Sequence, residues 1–156
     1  MSICEKKRAK TRKTEILFFK LNFSKNSVDK VWESCYYSPE DEKEFIVKYL
    51  APVLEREGLS QIKIIIWDHN KERVYDRSKK IFASEEVKNR VWGVGHHWYS
   101  GDHFGELRAF YSKYPDKFSF ASEGCCAIPG SGINLDVELN HAERYAHDII
   151  GAFANG

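Results

Sequence analysis

The chain has 156 residues, 42% of them hydrophobic, 14% aromatic and 30% charged, with a formal net charge of +1. That length fits one domain, and the apolar share excludes a disordered or low-complexity chain because a core can form. No run of about 18 apolar residues occurs, so the sequence predicts no transmembrane segment.

The charge is unevenly spread. Residues 1–30 hold nine Lys or Arg against three acids, a net +6, which leaves the rest of the chain at −5. Residues 1–30 therefore read as a basic, atypical lead-in and residues 31–156 as the folded domain. Within the lead-in, residues 1–14 read as a disordered basic arm, solvated and with no nucleic-acid-reading motif after it. Glu15–Phe23 is apolar and aromatic enough for a strand. Its apolar core, Ile16–Phe19, is too short for a signal peptide, and the expected compartment is the cytoplasm. The cysteines are Cys4, Cys35, Cys125 and Cys126. Their spacing offers neither a disulfide framework nor a paired metal motif.

Ser38 fits an N-cap, Pro39 the first helical position, and Asp41 the acid of a capping box. Phe45, Ile46, Tyr49, Leu50 and Val53 then share one helical face, and Gly58 ends the helix. Ile62–Trp67 is β-branched and apolar throughout, as a strand buried on both faces would be. Ser84 caps a short helix to about Arg90. Val91–His97 is a second apolar strand, Phe104–Tyr114 a helix stopped by Pro115, and Phe118–Ala121 a third strand. A Gly/Pro-rich loop, Ala127–Gly132, leads to a last helix, His141–Ala154, with Tyr145, Ile149, Ile150 and Phe153 on one side. Alternating helices and strands of this kind predict βα units on a parallel sheet.

Each strand ends in chemistry: Asp68-His69-Asn70, His96-His97-Trp98-Tyr99, and Ser122-Glu123-Gly124. Parallel α/β folds place their sites at the carboxyl ends of the strands. Carboxylates beside aromatic rings suit sugars, whose apolar faces stack on rings while their hydroxyls need acceptors. Asp68, His69, His96, His97, Asp102 and His103 lack metal-site helix spacing, and Cys125 and Cys126 read as packed thiols. No metal or cofactor is expected.

Trp32-Glu33-Ser34-Cys35, the Trp-Asp-His-Asn within Lys63–Asn70, His97-Trp98-Tyr99, Phe120-Ala121-Ser122-Glu123 and the terminal Arg144-Tyr145-Ala146-His147 occur in order. Together they resemble glycoside hydrolase family 30, the glucosylceramidases and related β-glucanases. The resemblance covers Val31 to Gly156. It implies a retaining β-glycosidase on a (β/α)8 TIM barrel, here a partial barrel of about strands 5 to 7 with their helices. It further implies Glu123 as nucleophile, Tyr99 as the residue that orients it, and Asp68, His97 and Trp98 as substrate-binding residues. The substrate would be a β-glucoside or glucosylceramide-like carbohydrate.

The family's acid/base, the Glu of an Asn-Glu-Pro motif, has no counterpart. That motif is absent from the chain, and the family's spacing counted back from Trp32 lands near Lys25. The expectation is a partial catalytic domain, inactive alone, with open strand edges that invite self-association. The alternative is a non-catalytic carbohydrate-binding remnant.

Overall fold

The computed structural model describes Ile16–Phe18 and residues 37–126 and 135–156. The basic arm, the Trp32–Cys35 segment and the Ala127–Gly132 loop lie outside the described residues.

The architecture is a parallel sheet with helices, not a closed barrel. Four strands, β1 (Ile16–Phe18), β2 (Lys63–Asn70), β3 (Val91–His97) and β4 (Phe118–Glu123), lie in the order β1-β2-β3-β4. All three pairings are parallel. The sequence predicts the last three of these strands. The fourth, β1, falls inside the stretch read as lead-in and adds to the outer edge of β2.

The first helical stretch starts as its caps dictate. Ser38 Oγ accepts from the Asp41 N–H, and the Asp41 carboxylate accepts from the Ser38 N–H at 2.8 Å. The stretch is not one regular helix. A π-helical turn, Ile46–Leu50, separates α1 (Pro39–Phe45) from α2 (Ala51–Arg56). The Ala51 N–H reaches the Ile46 carbonyl five residues back. The widened turn gives room to the ring of Pro52, which would clash with a carbonyl four residues earlier in a regular helix. It also shifts the buried stripe. Glu42, Ile46, Leu50 and Leu54 face the core, while Tyr49 and Val53, expected there, are exposed.

β2 is buried on both faces, with Ile64, Ile65, Ile66 and Trp67 each less than 5% exposed. It runs three residues past its expected end because Trp67 and Asp68 take positive φ angles of 71° and 46°. The register slips there and pairing resumes at His69 with His96. The core forms where Ile46, Leu50, Ile64, Ile66, Val94 and Phe110 meet between sheet and helices. Each fully buried aliphatic side chain stabilises by roughly 1.5–3 kcal/mol. Gly93 lets β3 and β4 approach, since a Cβ there would lie 2.2 Å from the Phe118 carbonyl oxygen.

A helix absent from the sequence reading, α3 (Val74–Ile81), follows a 3-10 turn at Lys71–Arg73. Then come α4 (Glu85–Arg90), capped by Ser84, and α5 (Phe104–Lys113). The last helix, α6 (Leu135–Phe153), starts six residues before its expected beginning.

Candidate active site

The carboxyl ends of β2, β3 and β4 bring their polar residues to one place. The left-handed corner at Trp67–Asp68 turns the Asp68 side chain toward the neighbouring strands, and the carboxylate is buried. Positive φ is costly for a tryptophan, so neighbouring groups must hold it. Glu42 of α1 does so by accepting from the Trp67 N–H at 3.2 Å. Glu42 is itself buried and paired with Arg77 of α3 at 3.2 Å. Burial raises its pKa, against the pull of Arg77.

Asp68 Oδ1 accepts from Ser122 Oγ at 2.5 Å and lies 3.1 Å from His97 Nε2. The same His97 nitrogen is 3.9 Å from Glu123 Oε2. Gly95 sits under this cluster. A Cβ there would come within 3.0 Å of both Asp68 Oδ1 and Ser122 Oγ. His97 is buried, whereas the Glu123 side chain is 38% exposed and open to an incoming molecule.

Tyr99 stands at the rim, with its backbone N–H donating to Asn70 Oδ1 at 3.1 Å. Its phenol lies 3.2 Å from Cys125 Sγ. Burial, then hydrogen bonds to Cys125 and Glu123 and the Glu123 charge, push the Tyr99 pKa well above the usual phenol value. The phenol therefore keeps its proton at all moderate pH. Asp68, His97, Tyr99 and Glu123 are thus brought together.

Trp98 differs from these four. It is buried, 4.6 Å from the Tyr145 ring, and Arg144 lies over it at 5.4 Å. A Cβ on Gly124 would stand 3.2 Å from the Trp98 ring, so the glycine lets the loop after Glu123 cross the indole. The Tyr145 hydroxyl fastens that loop, donating to the Gly124 carbonyl and accepting from the Cys126 N–H, each at 3.3 Å.

Sequence reasoning missed the Glu42–Arg77 pair and the contacts that Ser122 and Cys125 make. The pair left one trace: Glu42 lies four residues before Ile46, on the stripe that continues to Leu50 and Leu54. Ser122 stands out only as a strand-end residue and Cys125 only as a packed thiol, whereas Cys125 is exposed; their contacts with Asp68 and Tyr99 span 54 and 26 residues. Among the described residues, no group of three or more His, Cys, Asp or Glu side chains converges as metal ligands would. No helix among them is long and apolar enough to cross a membrane.

Comparison with known proteins agrees with this architecture. The family described as the glycosyl hydrolase family 30 TIM-barrel domain matches residues 12–156, a span that includes β1. The chain is 29% identical over 128 residues to putative glucosylceramidase 4 of Caenorhabditis elegans, covering 80% of this chain and 24% of that protein. With putative glucosylceramidase 3 of the same organism it shares 28% identity over 122 residues, 76% of this chain and 23% of the relative. The crystal structure of SrfJ from Salmonella typhimurium superposes with a TM-score of 0.76 at 38% identity, covering 83% of this chain and 28% of that one. The chain thus spans about a quarter of the length of these relatives. With the family match extending over nearly its whole length and the parallel sheet agreeing with it, the chain belongs to the TIM-barrel domain of glycosyl hydrolase family 30.

Proposed function

We propose that this chain carries the nucleophile side of a retaining β-glycosidase site of the glucosylceramidase and β-glucanase kind. Its substrate class is a β-glucoside or a glucosylceramide-like carbohydrate. The observation that carries this reading is the setting of Glu123: a reachable carboxylate at the carboxyl end of a parallel strand, between the His97 imidazole and a phenol that stays protonated.

In this reading Glu123 attacks the anomeric carbon. The new C–O bond forms as the bond to the leaving oxygen breaks, and the leaving group departs with the electron pair. Tyr99 donates its O–H to the Glu123 carboxylate, keeping it ionised and aimed, while Cys125 S–H lies on the other side of the phenol oxygen. A carboxylate is the better acceptor, which favours that direction. Asp68, fastened in turn by Ser122, holds His97, and His97 and Asp68 offer polar contacts to sugar hydroxyls. Trp98 acts from beneath the loop that follows the nucleophile.

The proton donor is the missing part. No Asn-Glu-Pro occurs in the chain. Without general acid catalysis an alkyl glycoside loses on the order of 100- to 10,000-fold in rate. The chain alone is therefore inactive on natural glycosides. An activated aryl glycoside needs no proton on its leaving group, so the first half-reaction survives. Deglycosylation then stalls, because the same missing residue would activate water. With 2,4-dinitrophenyl β-glucoside the account expects a slow burst of at most one phenolate per chain, absent in Glu123→Gln. Saturable glucoside binding with no burst would favour the non-catalytic binding remnant, a reading supported by the missing motif. Steady turnover of an alkyl β-glucoside would contradict the account.

A further inference from the structure

We propose that Tyr145 is a positioning residue for the nucleophile. Together with Arg144 it makes helix α6 a clamp that sets how the Tyr99 phenol meets the Glu123 carboxylate. This inference rests on the reading of Glu123 as nucleophile and extends it to the helix that carries the Arg144-Tyr145-Ala146-His147 motif.

The sheet alone does not fix that meeting. The last partners of β3 and β4 are His97 and Glu123, after a register shift between His96 and His97. Tyr99 follows the end of β3 and Cys125 follows the end of β4, so both stand past this ladder. The Tyr99 N–H is held from the β2 side by Asn70 Oδ1. Toward β4 its phenol meets Cys125 Sγ at 3.2 Å, and sulfur is a weak hydrogen-bond partner.

Neighbouring residues of α6 hold the two loops. The Tyr145 hydroxyl sits across Cys125, donating to the Gly124 carbonyl and accepting from the Cys126 N–H. The peptide groups on both sides of Cys125 are thus fixed, and with them the direction in which its side chain leaves the backbone. On the other loop, Arg144 Nη2 donates to the Trp98 carbonyl at 3.3 Å, the carbonyl of the peptide group that joins Trp98 to Tyr99. Both side chains also rest on the Trp98 ring. One helix therefore fastens the backbone beside the phenol and the backbone beside the carboxylate. His147 reaches Asp102 at 2.9 Å, but both side chains are more than half exposed, and such a pair contributes little.

Tyr145→Phe tests the clamp, because it keeps the ring on Trp98 and removes only the hydroxyl. Gly124 is exposed and Cys126 half-buried, so water can replace the lost partner and circular dichroism should remain that of the folded protein. With 2,4-dinitrophenyl β-glucoside at saturation the burst should slow about tenfold, with the half-saturating concentration little changed. Its acid limb should move to higher pH, because the phenol donates less well to Glu123. In a Tyr99→Phe background the same change should add almost nothing, since it acts through Tyr99. Arg144→Met keeps a stem over the indole and loses the donor to Trp98, and should give the same pattern from the β3 side. His147→Gln should leave the burst unchanged. An unaltered burst in Tyr145→Phe, or a slowing that adds in full to that of Tyr99→Phe, would overturn the proposal. Absence of any burst from the unsubstituted chain would instead overturn the Glu123 reading on which it rests.

Discussion

The corner that aims Asp68 depends on a buried ion pair outside the Asp68–His97–Glu123 cluster, and that dependence can be measured. Glu42 and Arg77 are buried, their charged groups 3.2 Å apart, and Glu42 also accepts the Trp67 N–H. Replacing Glu42 by Gln keeps the amide acceptor but removes the charge, leaving Arg77 buried without its counter-ion. Breaking one side of such a pair typically costs about 3–5 kcal/mol, whereas replacing both sides by groups that pack is often close to neutral. Glu42→Gln should therefore lower unfolding stability by about 3–5 kcal/mol in urea titrations followed by tryptophan fluorescence. Glu42→Gln with Arg77→Met should recover most of that loss, because the glutamine still serves Trp67 and the methionine fills the space of the arginine stem. Glu42→Leu with Arg77→Met should recover less, by about 1–3 kcal/mol, since the buried Trp67 N–H then has no acceptor. If the single Glu42→Gln change costs under 1 kcal/mol, the pair does not hold this corner and the reasoning fails.

Three further outcomes follow from the same geometry. The His96 pKa is lowered to about 4, first by burial and then by the charge of Lys71, whereas an exposed histidine titrates near 6.5. The unfolded chain thus binds a proton that the folded chain refuses, so stability is full above 6.5 and falls toward pH 4 by up to about 3 kcal/mol. Urea titrations across that range should show the fall, and a His96→Gln variant should flatten it; an unchanged slope would refute the assignment. Gly93→Ala forces a Cβ to within 2.2 Å of the Phe118 carbonyl and should cost about 3 kcal/mol or more, read as a lowered Tm; a neutral effect would mean β3 and β4 part easily. Tyr99→Phe should slow the dinitrophenolate burst about 10- to 100-fold and shift its acid limb to higher pH, because the carboxylate loses its phenol donor; an unaltered pH profile would remove Tyr99 from the site.

Much of the fold was legible because its signals are local. The Ser38–Asp41 capping box, the Ser84 cap and the isoleucine run in β2 each state their structure within a few residues. Helix α3 is not announced in the sequence because Arg73, the residue before it, provides no side-chain cap. The π-helical turn is hidden because a regular 3.6-residue period across Pro52 puts Tyr49 and Val53 on the inner face, whereas both are exposed. The extra length of β2 depends on a tryptophan in a left-handed conformation, which no residue preference announces. Asp68, His97, Tyr99 and Glu123 were legible as strand-end residues. Their mutual distances come from the register of three parallel strands, and so does the contact of Ser122 with Asp68 across 54 residues. That register is set by the bulge and by Gly93 and Gly95, whose roles emerge only when the strands lie side by side.

The central claim is that Glu123 is a nucleophile poised to form a bond to a sugar. Incubation of the chain with 2,4-dinitrophenyl 2-deoxy-2-fluoro-β-glucoside, followed by intact mass and peptide mapping, addresses it directly, since the fluorine slows release of the trapped sugar. The account predicts one fluoroglucosyl group per chain, on the peptide containing Glu123, with none on the Glu123→Gln variant. Label on another residue, or a folded chain that binds the sugar and is never labelled, would contradict it.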